Sequence, residues 1–485
     1  MLTRINGGSS ETEVNELTVM PYARPSAKRR VTTVTPVGNK PHAPRKSLAA
    51  TPFRCTWLMF TLSFSRHCET SGVTPDFDVV VIGAGAAGLA ALRELTRAGL
   101  KALCVEARDR IGGRIFTVHD PQCPVPIELG AEFIHGRPPE IWSIVDSAPL
   151  SAYDCTENAL HIKNGKVQNR SDAWLPVDKV MEDMQKAAAK GPDQSFAEFV
   201  SKTSHSGDAK QLATSFVEGF NAAHAGIIGI ASLAKDAQAS DSIDGDRSFR
   251  IFNGYDSIPR RLLGTGEVRL NTVVEKIEWT SGGVSVRTRD QMFKSRRAIV
   301  TVPLGVLQAR SIHFDPEPDE IFTAADKLAF GQVVRVVLRF HERIWEQRPE
   351  LANAGFLLSQ EPVFPTWWTP LPMRAPIITG WSAGRKATPD ATVERAVEQL
   401  HRVTGLKTTP EAVYFHDWEK DPFARGAYSY VPAGAMAARE TLARPVKDTL
   451  YFSGEATETN GHSATVHGAI ASGIRAARLV LKASG

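Results

Sequence analysis

The sequence predicts an α/β protein of two lobes, and three observations carry that reading. Residues 76–116 run strand, glycine turn, helix and strand, and an acidic residue closes the second strand. Residues 268–303 are strand-rich, and a last strand and helix follow at 450–482, so the first domain is revisited after the chain has left it. Between these returns lie a helical stretch and a proline-rich stretch of mixed pattern, the material of a second lobe. At 485 residues the chain is long enough for two domains with large cores.

The first unit is the most informative. Phe77 to Ile82 is a short, Val-rich apolar run, the pattern of a buried parallel strand. It enters Gly83-Ala84-Gly85-Ala86-Ala87-Gly88, and a helical pattern comes next with Leu89, Leu92 and Leu95 on one face. Gly99 punctuates that helix, and residues 101–105 read as a second strand ending in Glu106. Gly83 allows a tight turn, Gly85 lets a pyrophosphate approach the backbone, and Gly88 lets helix and strand pack closely. The helix start offers free N–H groups and partial positive charge to phosphates. Glu106, about 20 residues on, stands where a carboxylate accepts hydrogen bonds from a ribose. Strand, turn, helix, strand and acid in this order identify a Rossmann-like dinucleotide site. Its candidate contacts are Gly83, Ala84, Gly85, Ala87, Gly88 and Glu106.

Composition removes other classes. Of 57 basic and 53 acidic residues, ten and four lie in residues 1–75, which leaves 47 against 49 in the body. The net charge of +4 therefore belongs to the tail, and no nucleic-acid partner is expected for the body. No apolar run approaches the ~20 residues that span a membrane. Five scattered cysteines lack metal-ligand spacing, so no metal is expected and a reducing, cytoplasmic setting is the default.

Residues 1–75, rich in Pro, Ser, Thr and Arg without periodicity, read as a disordered basic tail. Its apolar patch, residues 57–64, is too short to assign targeting. The nucleotide-binding domain is expected in three segments, 76–138, 248–305 and 415–485. The second lobe takes residues 139–247, mostly helical, and 306–414. An Asn164-Gly165 hairpin is expected within 159–167.

The stretch after Glu106 narrows the cofactor. Ala107-Arg108-Asp109-Arg110-Ile111-Gly112-Gly113-Arg114 resembles the second signature of the flavoprotein family that includes amine oxidases, phytoene desaturases and protoporphyrinogen oxidases. That resemblance implies FAD, with Ala107, Arg108, Gly113 and Arg114 around its diphosphate. It also implies a FAD/NAD(P)-binding, glutathione-reductase-like domain paired with an α+β substrate-binding domain. The meander at 268–303 resembles the β-insert of such domains, where the backbone around Val274 reaches the adenine.

Further stretches resemble the flavin-dependent amine oxidases, a branch that includes polyamine oxidases, monoamine oxidases and lysine-specific histone demethylases. They are Glu128-Leu129-Gly130-Ala131-Glu132-Phe133-Ile134-His135-Gly136, the run from Trp418 through Phe423 and Ala427 to Tyr430, Gly454-Glu455-Ala456-Thr457, and Ala464-Thr465-Val466-His467-Gly468-Ala469. Val302-Pro303-Leu304-Gly305-Val306-Leu307 extends the resemblance, which covers about residues 76–485. It implies that Glu132, Phe133, Trp418, Phe423, Gly454, Glu455, Thr465 and Val466 contact the cofactor. A helix opening at residues 465–468 would stabilise negative charge on the reduced flavin.

The resemblance also assigns catalytic roles. Tyr428 matches the aromatic wall of the amine cage, and Thr465 stands where many relatives place a second tyrosine. Ala427 replaces the cysteine that carries flavin covalently in monoamine oxidases, so non-covalent FAD is expected. Arg335 stands where the family usually has a lysine that holds a water against flavin N5; arginine keeps the charge but cannot serve as a base. His135, at the mouth by resemblance, binds an ammonium group when neutral.

The implied reaction is oxidation of a primary or secondary amine, polyamine-like or monoamine, to an imine and then an aldehyde, with O2 reduced to H2O2. The partners are a small-molecule amine and O2, and oligomeric state is left open. The rival readings are an amino-acid oxidase, a desaturase, or a flavin-bound protein of weak activity because Arg335 replaces the lysine. A histone demethylase proper is not expected, since no long coiled-coil insertion interrupts the body.

Overall fold

The computed structural model describes residues 75–156, 158–168 and 175–484. The expected tail lies outside them except for Pro75, as does the apolar patch at 57–64.

Strand β1 (Phe77–Ile82) lies in the middle of the first sheet, parallel to β2 (Ala102–Val105) on one side and to Met292–Val300 on the other. The sheet order is Glu267–Arg269, β2, β1, Met292–Val300, Gly283–Thr288, Val274–Thr280, His313–Asp315, with Leu450–Phe452 also paired to Met292–Val300. Both faces of β1 are covered, which explains its unbroken apolar run; Val79, Val80 and Val81 are fully buried. One face packs on helix α1 (Ala86–Arg97) through Leu89, Leu92 and Leu95, together with Ile470 and Val480 of the last helix, Val466–Ser484. The other face packs Ile82 and Leu103 against Trp279, Phe314 and Phe452. The two helices approach closely at Gly473, where a Cβ would stand 2.1 Å from the Ala87 carbonyl oxygen.

The second lobe carries a seven-stranded sheet in the order Ala412–Asp417, Val333–Arg339, Ile377–Ala383, Thr366–Trp368, Phe356–Ser359, Ala159–Lys163, Lys166–Gln168. Trp345, Phe364, Trp367 and Leu400 fill the core behind it. Asn164 and Gly165 both have positive φ, 52° and 70°, as the hairpin turn between its last two strands requires. The helices Leu175–Lys190, Phe196–Lys202, Gly207–Phe220 and Ile230–Asp241 pack around Val180, Met184, Phe196, Val217 and Leu233. Ser195 and Ser206 cap two of them by accepting from Glu198 N and Ala209 N.

Two small sheets join the lobes. Ser248–Ile251 pairs with both Ile134–His135 and Ala152–Asp154, and Ala329–Gly331 pairs with Tyr428–Tyr430. The strand His313–Asp315, inside the range assigned to the second lobe, adds to the edge of the first sheet. The strand Ala412–Asp417 crosses the boundary expected at residue 415 and belongs to the second sheet. Among the described residues no helix is long and apolar enough to cross a membrane, and no group of three His, Cys, Asp or Glu side chains is placed to hold a metal ion.

Candidate active site

The nucleotide cradle forms where two glycine turns lie side by side. Gly83 has φ +103°, and Gly112, with φ +102°, donates its N–H to the Ala84 carbonyl at 2.8 Å. A Cβ on Gly88 would stand 1.9 Å from the Gly83 carbonyl oxygen, so only glycine fits there. At Gly85 a Cβ would meet no atom within 4 Å, and no side chain caps the start of α1. Gly113, φ +58°, faces Gly85, whose Cα a Cβ on Gly113 would meet at 3.4 Å. The Glu106 carboxylate is fixed beneath this opening, with Oε2 accepting from Ala84 N at 2.7 Å and Oε1 from Arg108 N at 2.9 Å. Each oxygen keeps a lone pair for a further donor. Ala107 is half-buried between these anchors, and Asn271 N and Thr272 N donate to the Arg108 and Glu106 carbonyls at 2.8 Å each. Val274, two residues further on, is buried and opens the strand Val274–Thr280. Open space above Gly85, an uncapped helix start and a fixed acid fit a dinucleotide such as FAD.

The arginines of the second signature join distant motifs. Arg108 makes a bidentate pair with Asp421, at 2.9 and 2.8 Å, and its guanidinium lies 5.5 Å from the Phe423 ring. Burial would raise the Asp421 carboxyl, but His416 and Arg108 together hold it well below the usual carboxylate range. Arg114 donates to the Ala427 carbonyl at 2.7 Å and to Glu455 Oε1 at 2.8 Å. Glu455 Oε2 accepts from Ser429 Oγ at 2.7 Å and Ala464 N at 3.1 Å, and against burial these groups keep the carboxyl below its ordinary value. Gly454, φ +133°, faces open space and donates to Ser472 Oγ at 2.9 Å. Trp418 is buried, its Nε1 donating to the Leu129 carbonyl at 3.0 Å. Thr465 caps the last helix: its Oγ1 accepts from Gly468 N at 2.9 Å and donates to the His462 carbonyl at 2.6 Å. Val466 is the first residue of that helix.

Arg335 is not an open cation. It is 2% exposed, Nη1 donates to the Gly130 carbonyl at 2.6 Å, Nη2 donates to Glu132 Oε2, and the guanidinium lies 5.1 Å from the Trp368 ring. Its Nε has no partner. Glu132 also accepts from Arg250 Nε at 2.5 Å and Trp368 Nε1 at 3.0 Å. Burial would raise this carboxyl, and the two arginines outweigh it and hold it low. Glu128 lies behind, accepting from Thr117 Oγ1 at 2.6 Å and Tyr255 N at 2.7 Å. Desolvation pushes its carboxyl up to about 8. Side chains of Glu128, Glu132, Tyr153, Arg250, Arg335 and Trp368 border a cavity of about 30 Å³.

An aromatic path leads out from this cluster. Phe133 contacts Trp368 at 5.7 Å, Phe356 at 6.2 Å and His135 at 6.0 Å; His135 meets Phe220 edge-on at 5.7 Å, and Trp368 meets Trp381 at 5.7 Å. Desolvation pushes His135 down to about 4 and, with His462 and His135 nearby, His467 down to about 3, so both are neutral at pH 7. Tyr428 donates its hydroxyl to the Phe220 carbonyl at 2.8 Å, and burial pushes its pKa up.

Sequence reasoning named Arg335 and Glu132 separately and missed that they are partners. It also missed Arg250, Trp368 and Phe220. Arg250 had a signal, a charge inside the otherwise apolar strand Ser248–Ile251, which in a buried strand requires a counter-charge. Trp368 ends the short strand Thr366–Trp368 and Phe220 ends the helix Gly207–Phe220, and neither has a local pattern to mark it.

Residues 86–481 match the family model described as flavin containing amine oxidoreductase. The chain is 30% identical over 442 residues to lysine-specific histone demethylase 1 homolog 2 of Oryza sativa subsp. japonica, covering 84% of this chain. It spans 57% of that relative's length. With polyamine oxidase 5 of the same rice it shares 28% identity over 458 residues, covering 85% of this chain and 89% of the relative. Its fold is similar to wild-type putrescine oxidase bound to putrescine, with TM-score 0.72, 22% identity, and 84% and 99% of the two chains covered. Cyclohexylamine oxidase from Brevibacterium oxydans IH-35A gives TM-score 0.73 at 21% identity, covering 85% and 100%.

Proposed function

The chain belongs to the flavin-containing amine oxidoreductases, and from that premise we propose that it holds FAD non-covalently and oxidises a primary or secondary amine with O2 as acceptor. For a primary amine, RCH2NH2, O2 and H2O become RCHO, NH3 and H2O2. The observation that carries this reading is the meeting of the dinucleotide cradle at Gly85 and Glu106 with Tyr428 and the start of the last helix, through the Arg114–Glu455 pair. FAD would lie along Gly85, Glu106, Gly454 and the helix start at Val466, and when bound it supplies the two-electron acceptor that O2 restores.

The chain's own groups do the rest. Tyr428, held by the Phe220 carbonyl, is a fixed aromatic surface that orients the amine. The aromatic side chains along the path offer little polar surface, which favours the neutral amine over the ammonium form. Neutral His135 offers a ring nitrogen to an amine N–H. The first turn of the last helix presents N–H groups and partial positive charge to negative charge developing at its end. Ala427 has no nucleophilic atom, which supports non-covalent binding.

The test is a peroxide-coupled screen of purified, yellow protein against monoamines, diamines and polyamines, with acid precipitation of the same sample. Peroxide with at least one amine and release of all colour to the supernatant are expected. No turnover with any amine favours the weakly active flavoprotein, a reading supported by the engagement of both Arg335 terminal nitrogens. Colour retained in the pellet would rule out the non-covalent assignment.

A further inference from the structure

Glu132, Glu128 and Glu218 stand around the aromatic wall, and each is engaged. Glu132 receives Arg250, Arg335 and Trp368, and Glu128 receives Thr117 and Tyr255. Glu218 accepts from Ala225 N at 3.2 Å and acts on the Lys386 ammonium. Arg250 takes one Glu132 oxygen and Arg335 with Trp368 the other, so neither oxygen is left open to a further cation.

The end of the helix Gly207–Phe220 is pinned to this wall. Its Gly219 carbonyl accepts from Trp381 Nε1 at 3.2 Å, and its Phe220 carbonyl accepts from the Tyr428 hydroxyl at 2.8 Å. The Phe220 ring stacks on Phe216 at 5.5 Å and meets His135 edge-on, yet the residue remains 56% exposed. A large ring packed on Phe216 and His135, on a residue whose carbonyl holds Tyr428, and open on one side is apolar surface placed for an apolar partner.

Resting on the amine-oxidase reading, we infer that the site selects monoamines whose far end is apolar and uncharged, and that Phe220 is the side chain that selects them. A second ammonium at the far end would lose water where the Glu132 and Glu218 carboxylates already serve other partners. Contact with ring faces offsets only part of that cost. An alkyl or aryl end instead covers the exposed ring and gains by leaving water.

The experiment compares hexylamine with 1,6-diaminohexane, which share a six-carbon chain and differ only by the terminal amino group, on the FAD-loaded enzyme. Hexylamine is expected to have kcat/KM about tenfold or more above the diamine. Phe220→Ala is expected to lower kcat/KM for hexylamine about tenfold, chiefly through KM, and Phe220→Leu to recover most of it. FAD content and melting temperature should stay at wild-type values in both variants, because the ring is exposed. A diamine oxidised as well as hexylamine overturns the selection, and Phe220→Ala with wild-type KM overturns the role of Phe220. If neither these two amines nor any other is oxidised, the oxidase reading itself falls, and the inference with it.

Discussion

Glu132 shows how one side chain can determine the state of another. Three donors from three strands converge on it, Arg335 from Val333–Arg339, Arg250 from Ser248–Ile251 and Trp368 from Thr366–Trp368. Removing either end of the network has unequal consequences. Glu132→Gln leaves two arginines, 2% and 6% exposed, without a counter-charge, at a cost of about 3–5 kcal/mol. Arg335→Met leaves the Arg250–Glu132 pair neutral as a whole and should cost less. Urea unfolding of the two variants tests the order. If Glu132→Gln is the more stable, the carboxylate is not what holds the arginines in place.

At the scale of the element, the glycines of the first turn separate folding from binding. Gly88 packs against backbone, its Cβ position 1.9 Å from the Gly83 carbonyl oxygen, so Gly88→Ala should destabilise the apoprotein by about 1–3 kcal/mol or more. Gly85 has φ −74° and open space around its Cβ position, so alanine is compatible with its conformation. Gly85→Ala should leave the apoprotein's melting temperature nearly unchanged and weaken FAD binding at least tenfold, because the methyl occupies the space where a phosphate approaches. Thermal melts of the apoproteins and FAD titrations distinguish the two. A Gly85→Ala protein that binds FAD as tightly as wild type would place the diphosphate elsewhere.

For the whole molecule, displaced groups give stability a pH dependence with two opposed parts. The Glu128 carboxyl, raised from 4.5 to about 8, contributes stability that is full below pH 4.5 and lost as pH rises to about 8. His135 and His467, lowered from 6.5 to about 4 and about 3, contribute stability that is full above pH 6.5 and lost as pH falls towards those values. Asp236, raised from 3.8 to about 6, has nearly completed its change by pH 7. Between about pH 7.5 and 8.5, Glu128 is therefore the group of these four that dominates the slope. The urea midpoint should fall across that window, with a slope of at most about 1.4 kcal/mol per pH unit, and Glu128→Gln should flatten it. A flat wild-type profile would mean that the Glu128 carboxyl is ionised in the native protein at neutral pH.

The sequence by itself determined the dinucleotide unit, because every requirement of that unit is local. The apolar run of β1, the turn at Gly83, the helix face of Leu89, Leu92 and Leu95, and Glu106 closing β2 fall within one short stretch of chain. The Asn164-Gly165 hairpin was legible for the same reason, since positive φ at two adjacent residues is a property of those residues. Tertiary structure alone decided the partners of the charges and rings. Arg335 and Glu132 are 203 residues apart, Arg114 and Glu455 341, and Tyr428 meets the carbonyl of Phe220 across 208. No periodicity within a segment records such pairings. They exist because burial removes water from groups that require a partner, and folding brings that partner from another part of the chain.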